Sequence, residues 1–398
     1  MNRDLGLRLL GKVMSWDDEQ SMEEFHWLTF MSAYKYDGYR DYCAGARFIE
    51  SLVTWLQQFE PLDRKVAYNF VKNNLIYFSQ GEIHRLVEKV FPEHVQERLI
   101  DRVASNLGIP SYLVWASLES ELEYICERRK TLFMGLSDGA RIDALRRMNA
   151  GVISNEQVVI ATQIDHHKWE SLLKDLRSDL AESRNGDTSS ERFSSVYLLD
   201  DFTASGTSIL PDPGVVGGLK GKLVKFLQSV NKAEEELGGD HPFSDDYRIY
   251  VHHYIGTEAA KERIECVYTK VQQRLRDEYG ADNITFTYGM LLPQEIAITS
   301  KSRDPFAELC KKYYDTALEG KGKHGGQSGI TNKMFGYASC GLPIVLEHNT
   351  PNNSLALLWA RTQADNEEHS MRPLFCRRER HSDMEQGSIL SITGDKDD

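Results

Sequence analysis

The stretch that most limits how this chain can fold is Val196–Leu210, VYLLDDFTASGTSIL. Its first four residues are apolar and predict a buried strand. The strand ends in Asp200 and Asp201, and a loop of small and hydroxylic residues, Thr203–Ser208 (the signature loop), follows before helix-like sequence resumes at Leu219. In a strand–loop–helix unit the loop amides point into one concavity and the helix N-terminus adds partial positive charge. An anion the size of phosphate is therefore favoured in this loop.

The two acids at the end of the strand suit the opposite task. Carboxylates accept hydrogen bonds from the vicinal hydroxyls of a sugar, or face a magnesium-bound sugar phosphate. Together, the loop and the acids predict a site for a phosphorylated sugar. The alternative is an acidic strand end followed by an ordinary Ser/Thr turn.

The segment Asp200–Ser208, DDFTASGTS, resembles the diphosphoribose-binding signature of type I phosphoribosyltransferases, in which a small loop ending in Gly-Thr follows an apolar strand and two acids. The resemblance implies a substrate with a phosphoribosyl group, either phosphoribosyl diphosphate (PRPP) or a nucleotide, and Mg²⁺ as cofactor. It also implies that Asp200 and Asp201 hold ribose hydroxyls and face Mg²⁺ only indirectly, through the sugar phosphate or water. The residues implied to hold the 5′-phosphate are Thr203, Ala204, Ser205, Gly206, Thr207 and Ser208.

A second candidate part of the site precedes the signature. Thr131–Leu136 predicts a buried strand, and a tight turn leads from it to Arg141. This SDGAR turn consists of Ser137, Asp138, Gly139, Ala140 and Arg141. It resembles the phosphoribosyltransferase loop that contacts pyrophosphate, which makes Arg141 a candidate for charge-assisted contacts to pyrophosphate oxygens. The alternative is an arginine that is solvated or paired with Asp138 or Asp143.

The surrounding sequence predicts an α/β fold. Further strands are predicted over Gln157–Thr162, Arg248–Ile255 and Ile284–Tyr288, and helical patterns separate them. Strands that alternate with helices indicate a parallel sheet with helices on both faces. Ligands of such sheets lie beyond the carboxyl ends of the strands. Because the paired acids and the SDGAR turn both follow strands, we group them into one site.

The 398 residues divide into four predicted regions. These are a helical N-terminal region (1–129), a phosphoribosyltransferase-like α/β core (130–300), a C-terminal extension packing on the core (301–382) and a disordered polar tail (383–398). Within the first region, Pro61 starts a helix that is predicted to run to Phe78.

Composition narrows the function classes. The net charge of −13 argues against a protein that wraps nucleic acid by itself, since phosphate neutralisation needs clustered Lys and Arg. The six cysteines are widely spaced, without a CxxC pair, and are interpreted as reduced thiols of a cytoplasmic protein. No apolar run approaches the roughly 20 residues that span a bilayer, so membrane insertion is not expected.

Four further segments leave alternatives open. The group formed by Tyr34, Tyr36, Tyr39, Arg40 and Arg47 either covers a nucleotide site or lies on a surface helix. Glycine-rich Lys321–Gly329 is an anion-contacting loop or a connector. The amide-rich stretch Glu347–Asn353 predicts directional hydrogen bonds, to a base or to backbone. Basic Arg372–His381 would bind phosphate or an acidic partner.

The whole layout resembles the phosphoribosyltransferase-like proteins of bacterial conflict and phage-defence loci, some of which are retron effectors paired with a winged-helix protein. This wider resemblance covers the helical N-terminal region, the SDGAR turn, the signature loop and the HNTPNN and RRER segments. It implies a toxic effector that a complex of reverse transcriptase and multicopy single-stranded DNA holds in check.

One departure from the purine-salvage phosphoribosyltransferases affects the mechanism. Those enzymes place an acid in the loop as general base, where this chain has Ala204. Displacement at the anomeric carbon mainly needs neutralisation of pyrophosphate and positioning, so a transferase or a nucleotide glycosidase remains possible. The alternatives are a non-catalytic PRPP or nucleotide sensor that controls a partner, and a structural role of the helical region alone.

Overall fold

The computed structural model describes residues 3–40, 42, 47–161, 164–184, 186–319, 332–362 and 369–377. The predicted glycine-rich segment 321–329, residues 378–381 of the basic cluster and the predicted tail lie outside these residues. The helices are α1 (Arg3–Met14), α2 (Asp18–Tyr34), α3 (Phe48–Leu56), α4 (Pro61–Asn73), α5 (Gln80–Lys89), α6 (Gln96–Leu107), α7 (Leu118–Arg129), α8 (Ile142–Met148), α9 (His166–Arg184), α10 (Pro213–Val216), α11 (Lys222–Glu236), α12 (Glu258–Tyr279), α13 (Pro305–Tyr313) and α14 (Ala356–Trp359). The strands are β1 (Ile76–Phe78), β2 (Thr131–Gly135), β3 (Val158–Ile160), β4 (Phe193–Thr203), β5 (Phe243–Thr257), β6 (Ile284–Leu292) and β7 (Ile344–Leu346).

Five strands form the central sheet, in the order β3-β2-β4-β5-β6, and every neighbouring pair is parallel. The predicted α/β class and parallel sheet are therefore confirmed. β4 and β5 are the long central strands, because their runs of apolar residues can be buried on both faces.

Helices cover both faces of this sheet. On β4, Val196 and Leu198 point to a core formed with α9, α11 and α12, whereas Tyr197 and Leu199 point to a core formed with α5, α6 and α8. Such alternation is the two-residue period of a strand. The second core shows that helices of the N-terminal region form one layer of the α/β core. No described helix is long and apolar enough to cross a membrane.

A second, two-stranded parallel sheet joins distant parts of the chain. β1 pairs with β7, with Tyr77 opposite Val345. The helix predicted from Pro61 to Phe78 is wrong at its end, because α4 stops at Asn73 and the aromatic residues after it are buried in β1. The partner strand lies so far along the chain that the local pattern gives no sign of it.

The N-terminal helices and the C-terminal segment also share one hydrophobic core. Phe70 of α4 stacks on Phe306 of α13 with ring centroids 3.8 Å apart, and Trp55 of α3 donates a 2.7 Å hydrogen bond to the carbonyl of Leu357. Phe375 contacts aromatic rings of the first eighty residues, including Tyr36. Val345 of β7 belongs to this core, whereas Ile344 and Leu346 pack in a core of the sheet.

Strand register brings the two predicted halves of the site together. β2 and β4 are adjacent, with Gly135 opposite Leu199, and the Leu136 N–H donates to the Leu199 carbonyl at 2.8 Å. The SDGAR turn therefore follows its strand at the level where Asp200 follows Leu199. After the signature loop, the insertion forms only α10, and α11 begins at Lys222, later than the expected Leu219.

Candidate functional site

The two acids at the end of β4 are not equivalent. The side chain of Asp200 is 2% exposed, and its oxygens accept hydrogen bonds from Ser137 Oγ at 2.5 Å and from the Lys222 ammonium. The side chain of Asp201 is 22% exposed and accepts from His348 Nε2 at 2.8 Å and from the Phe202 N–H at 2.9 Å. Asp200 is therefore a buried positioning group, and Asp201 is the acid that a ligand can reach.

Their surroundings shift the pKa values of the acids in opposite directions. Burial raises the pKa of Asp200, and the negative charge of Asp201 adds to this, against the opposing charge of Lys222. Burial would also raise the pKa of Asp201, but the hydrogen bond from His348 and the charges of His348 and Lys222 outweigh it and lower that pKa. The accessible acid is thus the one held ionised.

The SDGAR turn lies directly against these acids. Ser137 contacts Asp200, and Gly139 packs so closely on the Asp201 carboxylate that a Cβ would overlap it. The hydroxyl of Tyr254, on β5, donates a 2.5 Å hydrogen bond to the Ala140 carbonyl and fixes the turn from below. Asp138 is exposed. The turn and the acids therefore lie in contact with each other, and their shared role in one binding site stays a prediction.

Arg141, at the end of this turn, has a partner that the sequence did not indicate. Its backbone is left-handed, with φ of 50°, and its side chain is 11% exposed. The guanidinium pairs with the buried carboxylate of Glu347, which directly follows β7, and the Nε of Arg40 lies 2.8 Å from the other oxygen of that carboxylate. The expected alternatives, solvation or pairing with Asp138 or Asp143, are both wrong.

The signature loop has the properties of an anion-binding loop. The backbone N–H groups of Ser205, Gly206, Thr207 and Ser208 donate no hydrogen bond to any described residue. Gly206 has φ of +69°, and a Cβ there would lie 2.7 Å from a side-chain carbon of Ile264 on α12. Four successive amides without acceptors in the described part of the chain, in a turn whose position 206 only glycine fits, form a concavity that favours an anion.

Two hydroxyl groups of this loop pair with each other, since Ser205 Oγ lies 2.9 Å from Thr207 Oγ1. Thr203 is buried at the end of β4, and its Oγ1 has no partner among the described residues. Ala204 is also buried, and its carbonyl accepts a 2.8 Å hydrogen bond from Thr257. Ala204, which stands where the purine-salvage enzymes have the loop acid, is therefore buried and held by a hydrogen bond to its backbone.

The helix that follows does not contribute its N-terminus as expected. The N–H of Lys222 donates to the Ser208 carbonyl at 2.9 Å, and the N–H of Leu223 donates to the Ile209 carbonyl at 3.3 Å. These first amides of α11 are thus occupied by the chain itself, because the insertion folds back on the helix start. The contribution of α11 to the site is instead the Lys222 side chain on Asp200.

His348 also lies in the site, although the sequence did not single it out. Its Nε2 bonds to Asp201, whereas its Nδ1 lies 3.7 Å from Glu347 and makes no hydrogen bond to a described residue. Burial by itself lowers the pKa of His348, but the two carboxylates outweigh burial and raise it. The only sequence signal was the polar stretch Glu347–Asn353, whose predicted hydrogen bonds do form, in part to backbone, as from Asn353 to the Tyr337 carbonyl at 3.2 Å.

A second histidine, His253, lies on β5 opposite Asp200. It is fully buried, and neither ring nitrogen has a hydrogen-bond partner among the described residues. Burial, together with the nearby charge of Lys222, lowers its pKa to about 3. His253 is therefore neutral and contributes no charge to the site.

The residues do not fit a Mg²⁺ ion held directly by protein carboxylates. Asp200 and Asp201 each pair with a side-chain cation or imidazole already. Among the described residues, no group of three or more acidic, histidine or cysteine side chains converges on one point. Indirect contact, with Mg²⁺ brought by the sugar phosphate, stays a prediction.

A sequence model of the PRTase-CE family matches residues 52–377. The chain belongs to the PRTase-CE family. The family is phosphoribosyltransferase-like, and its matched range includes the acids, the signature loop, the SDGAR turn and the β7 segment with Glu347 and His348. No curated protein and no solved structure matches the chain.

Proposed function

We propose that this PRTase-CE protein is an enzyme that binds PRPP or a nucleotide with Mg²⁺ and transfers or cleaves the phosphoribosyl group. The observation that carries this proposal is the row of four backbone N–H groups, Ser205–Ser208, that lack acceptors among the described residues, beside an ionised, accessible Asp201. A phosphate on the amides and a sugar hydroxyl on the carboxylate are the two contacts that a ribose 5-phosphate requires.

The protein groups act by binding and orienting. The signature loop holds the 5′-phosphate, and the ring hydroxyls donate to Asp201, whose oxygens have lone pairs left beside those used by His348 and Phe202. Asp200 is fixed by Ser137 and Lys222 and keeps the acidic strand end in place. Arg141 would neutralise pyrophosphate or the leaving group once its guanidinium turns from Glu347 to the ligand.

The test is calorimetry with PRPP and Mg²⁺, followed by product analysis with PRPP and with nucleotides. Asp201→Asn should lower turnover by about 10²-fold or more, since it removes a charged acceptor from the sugar. Ser205→Leu should weaken binding, because its side chain would fill the concavity. Asp282→Asn is the matched control, because Asp282 precedes β6 at the amino ends of the strands, away from the site. It should leave turnover and binding unchanged. Absence of binding of any ribose phosphate to the folded protein would overturn the proposal.

A non-catalytic sensor is the second candidate, and Ala204 favours it. The loop has no acid to act as general base, and Ala204 is buried. If the wild-type protein binds PRPP but forms no product from any phosphoribosyl substrate, the result favours the sensor over the enzyme.

The biological role is proposed on the resemblance of the layout alone. We propose a toxic effector of an anti-phage system of the retron type, held in check by a reverse transcriptase and single-stranded DNA complex with a winged-helix partner. Expression of the chain without partners should slow bacterial growth, and Asp201→Asn should relieve the effect. If wild type and Asp201→Asn are equally toxic, the toxicity does not depend on this site.

A further inference from the structure

Five side chains from four stretches of the chain are connected by contacts between acidic and basic groups across the site. Asp201 contacts His348, His348 contacts Glu347, and Glu347 contacts both arginines, Arg141 of the SDGAR turn and Arg40 of the N-terminal region. Glu347 is the most buried member, with its side chain 2% exposed. We name Glu347 and His348 the EH pair.

The EH pair contacts the site in the way that a ligand would. A carboxylate on an arginine has the same sign of charge as a phosphate on an arginine, and its oxygens accept hydrogen bonds from the same guanidinium N–H groups. An imidazole N–H that donates to Asp201 takes the place of a sugar hydroxyl that donates to the same acid. Glu347 thus occupies Arg141 in place of pyrophosphate, and the adjacent His348 occupies Asp201 in place of a ribose hydroxyl.

We propose that the EH pair is an autoinhibitory contact, which a phosphoribosyl ligand must displace from Arg141 and Asp201 in order to bind. This inference rests on the proposed function of the site. PRPP binding is then a competition, in which the ligand's anionic and hydroxyl groups exchange with the carboxylate and imidazole of the protein.

Backbone contacts decide which groups move in this exchange. The Glu347 N–H donates to the Phe78 carbonyl and the Glu347 carbonyl accepts from the Arg40 N–H, both at 2.9 Å. The first bond continues the β1–β7 pairing, and the two bonds together hold the EH backbone in place. The exchange therefore falls on the side chains of Arg141 and His348, which are 11% and 15% exposed.

Arg40 makes the exchange possible. A buried carboxylate left without a partner is strongly unfavourable, so Glu347 could not release a single arginine at low cost. With Arg40 at 2.8 Å from Oε2, Glu347 keeps one cation when Arg141 turns to the ligand. The side chain of Arg40 is 47% exposed, so a partner that binds this surface would change the competition.

The test measures by calorimetry how tightly the full-length protein binds PRPP with Mg²⁺. It compares wild type with variants in which an uncharged side chain replaces a charged one. Glu347→Gln should bind PRPP about tenfold tighter than wild type or more, because the competing anion is gone. Glu347→Gln combined with Arg141→Ala should lose this gain, which would show that the gain acts through Arg141. His348→Ala, which frees Asp201, should also bind more tightly and is the second variant in case the first is unstable.

The matched control is Glu127→Gln. Glu127 is another carboxylate with its side chain 4% exposed, and it pairs with Arg102 Nε at 3.0 Å near the amino end of β2. This variant should bind PRPP as wild type does. If wild type binds and neither Glu347→Gln nor His348→Ala binds more tightly, the EH pair is not autoinhibitory, while the proposed function stands. If none of the folded variants binds, both proposals are overturned.

Discussion

At the scale of single residues, the tightest packing in the site is between Gly139 and Asp201. A side chain at position 139 would overlap the Asp201 carboxylate, whereas an added Cβ at Gly81 of α5 would meet nothing within 4 Å. The acid and the turn can approach only because the turn has no side chain at that point. Gly139 therefore determines where Asp201 lies.

Gly139→Ala should weaken PRPP binding and lower the free energy of unfolding by about 1–3 kcal/mol, because overpacking forces the acid or the turn to move. Urea unfolding and calorimetry measure the two effects. Gly81→Ala is the control, and it should stabilise the protein slightly, as alanine favours a helix over glycine. If Gly139→Ala binds PRPP as tightly as wild type, close packing of Gly139 on Asp201 is not needed for binding.

The EH pair should give a defined pH dependence of stability. The pKa of His348 is raised above 6.5, so its contribution is complete below that value and is lost as pH rises through the raised pKa. The pKa values of Asp201 and Glu347 are lowered, so their contribution is present above their ordinary values of 3.8 and 4.5 and is lost at lower pH.

The difference in unfolding free energy between wild type and His348→Gln should therefore be largest between about pH 5 and 6.5. Urea unfolding across this range measures it. A difference that stays constant from pH 5 to pH 9 would contradict the assigned charge on His348.

At the scale of elements, the long connection between β4 and α11 decides how the acids are paired. The insertion delays α11 until Lys222, and the first residue of that helix reaches back to Asp200. A helix that began directly after the signature loop would place its amides, rather than an ammonium group, near the strand end. This protein therefore neutralises its buried acid with a side chain.

Lys222→Met should destabilise the protein by about 2 kcal/mol, because Asp200 loses its cation in a buried position while the partly exposed lysine limits the effect. The variant should also have a higher Asp200 pKa. Lys225→Met, on the exposed side of the same helix, is the control and should change stability little. Equal stability of the two variants would mean that Asp200 does not depend on Lys222.

The elements also show what could be predicted from the sequence. The sheet, the position of the acids at its edge and the nearby SDGAR turn follow from local patterns, since each strand, turn and loop is specified by adjacent residues. The Arg141–Glu347 pair joins residues 206 positions apart, and no local period or motif connects them. β1 and its pairing with β7 could not be predicted either, because the two strands are far apart in the sequence.

At the scale of the whole molecule, the N-terminal helices and the C-terminal segment fold around one core that is separate from the cores of the sheet. Phe70 and Phe306 are fully buried and stacked in this core, whereas Phe30 of α2 is 59% exposed. Val345 of β7 packs in this core, and Ile344 and Leu346 pack in a core of the sheet. The packing of the N-terminal region therefore contributes to the position of the EH pair.

Phe306→Ala should lower the free energy of unfolding by about 3–5 kcal/mol, the usual cost of a large cavity in a core. It should also loosen β7 and so raise PRPP affinity in the folded fraction. Phe30→Ala should stay within about 0.5 kcal/mol of wild type. Thermal or urea unfolding gives the stability, and unchanged stability of Phe306→Ala would contradict the shared core.

We propose that the backbone N–H groups of Ser205–Ser208 hold the phosphate of a ribosyl ligand. Site-resolved amide hydrogen exchange, without ligand and with saturating ribose 5-phosphate, tests it most directly. We expect fast exchange at these amides without ligand and clear protection with it, and little change at the amides of α7 at the other edge of the sheet. Unchanged exchange at Ser205–Ser208 under saturating ligand would contradict the claim.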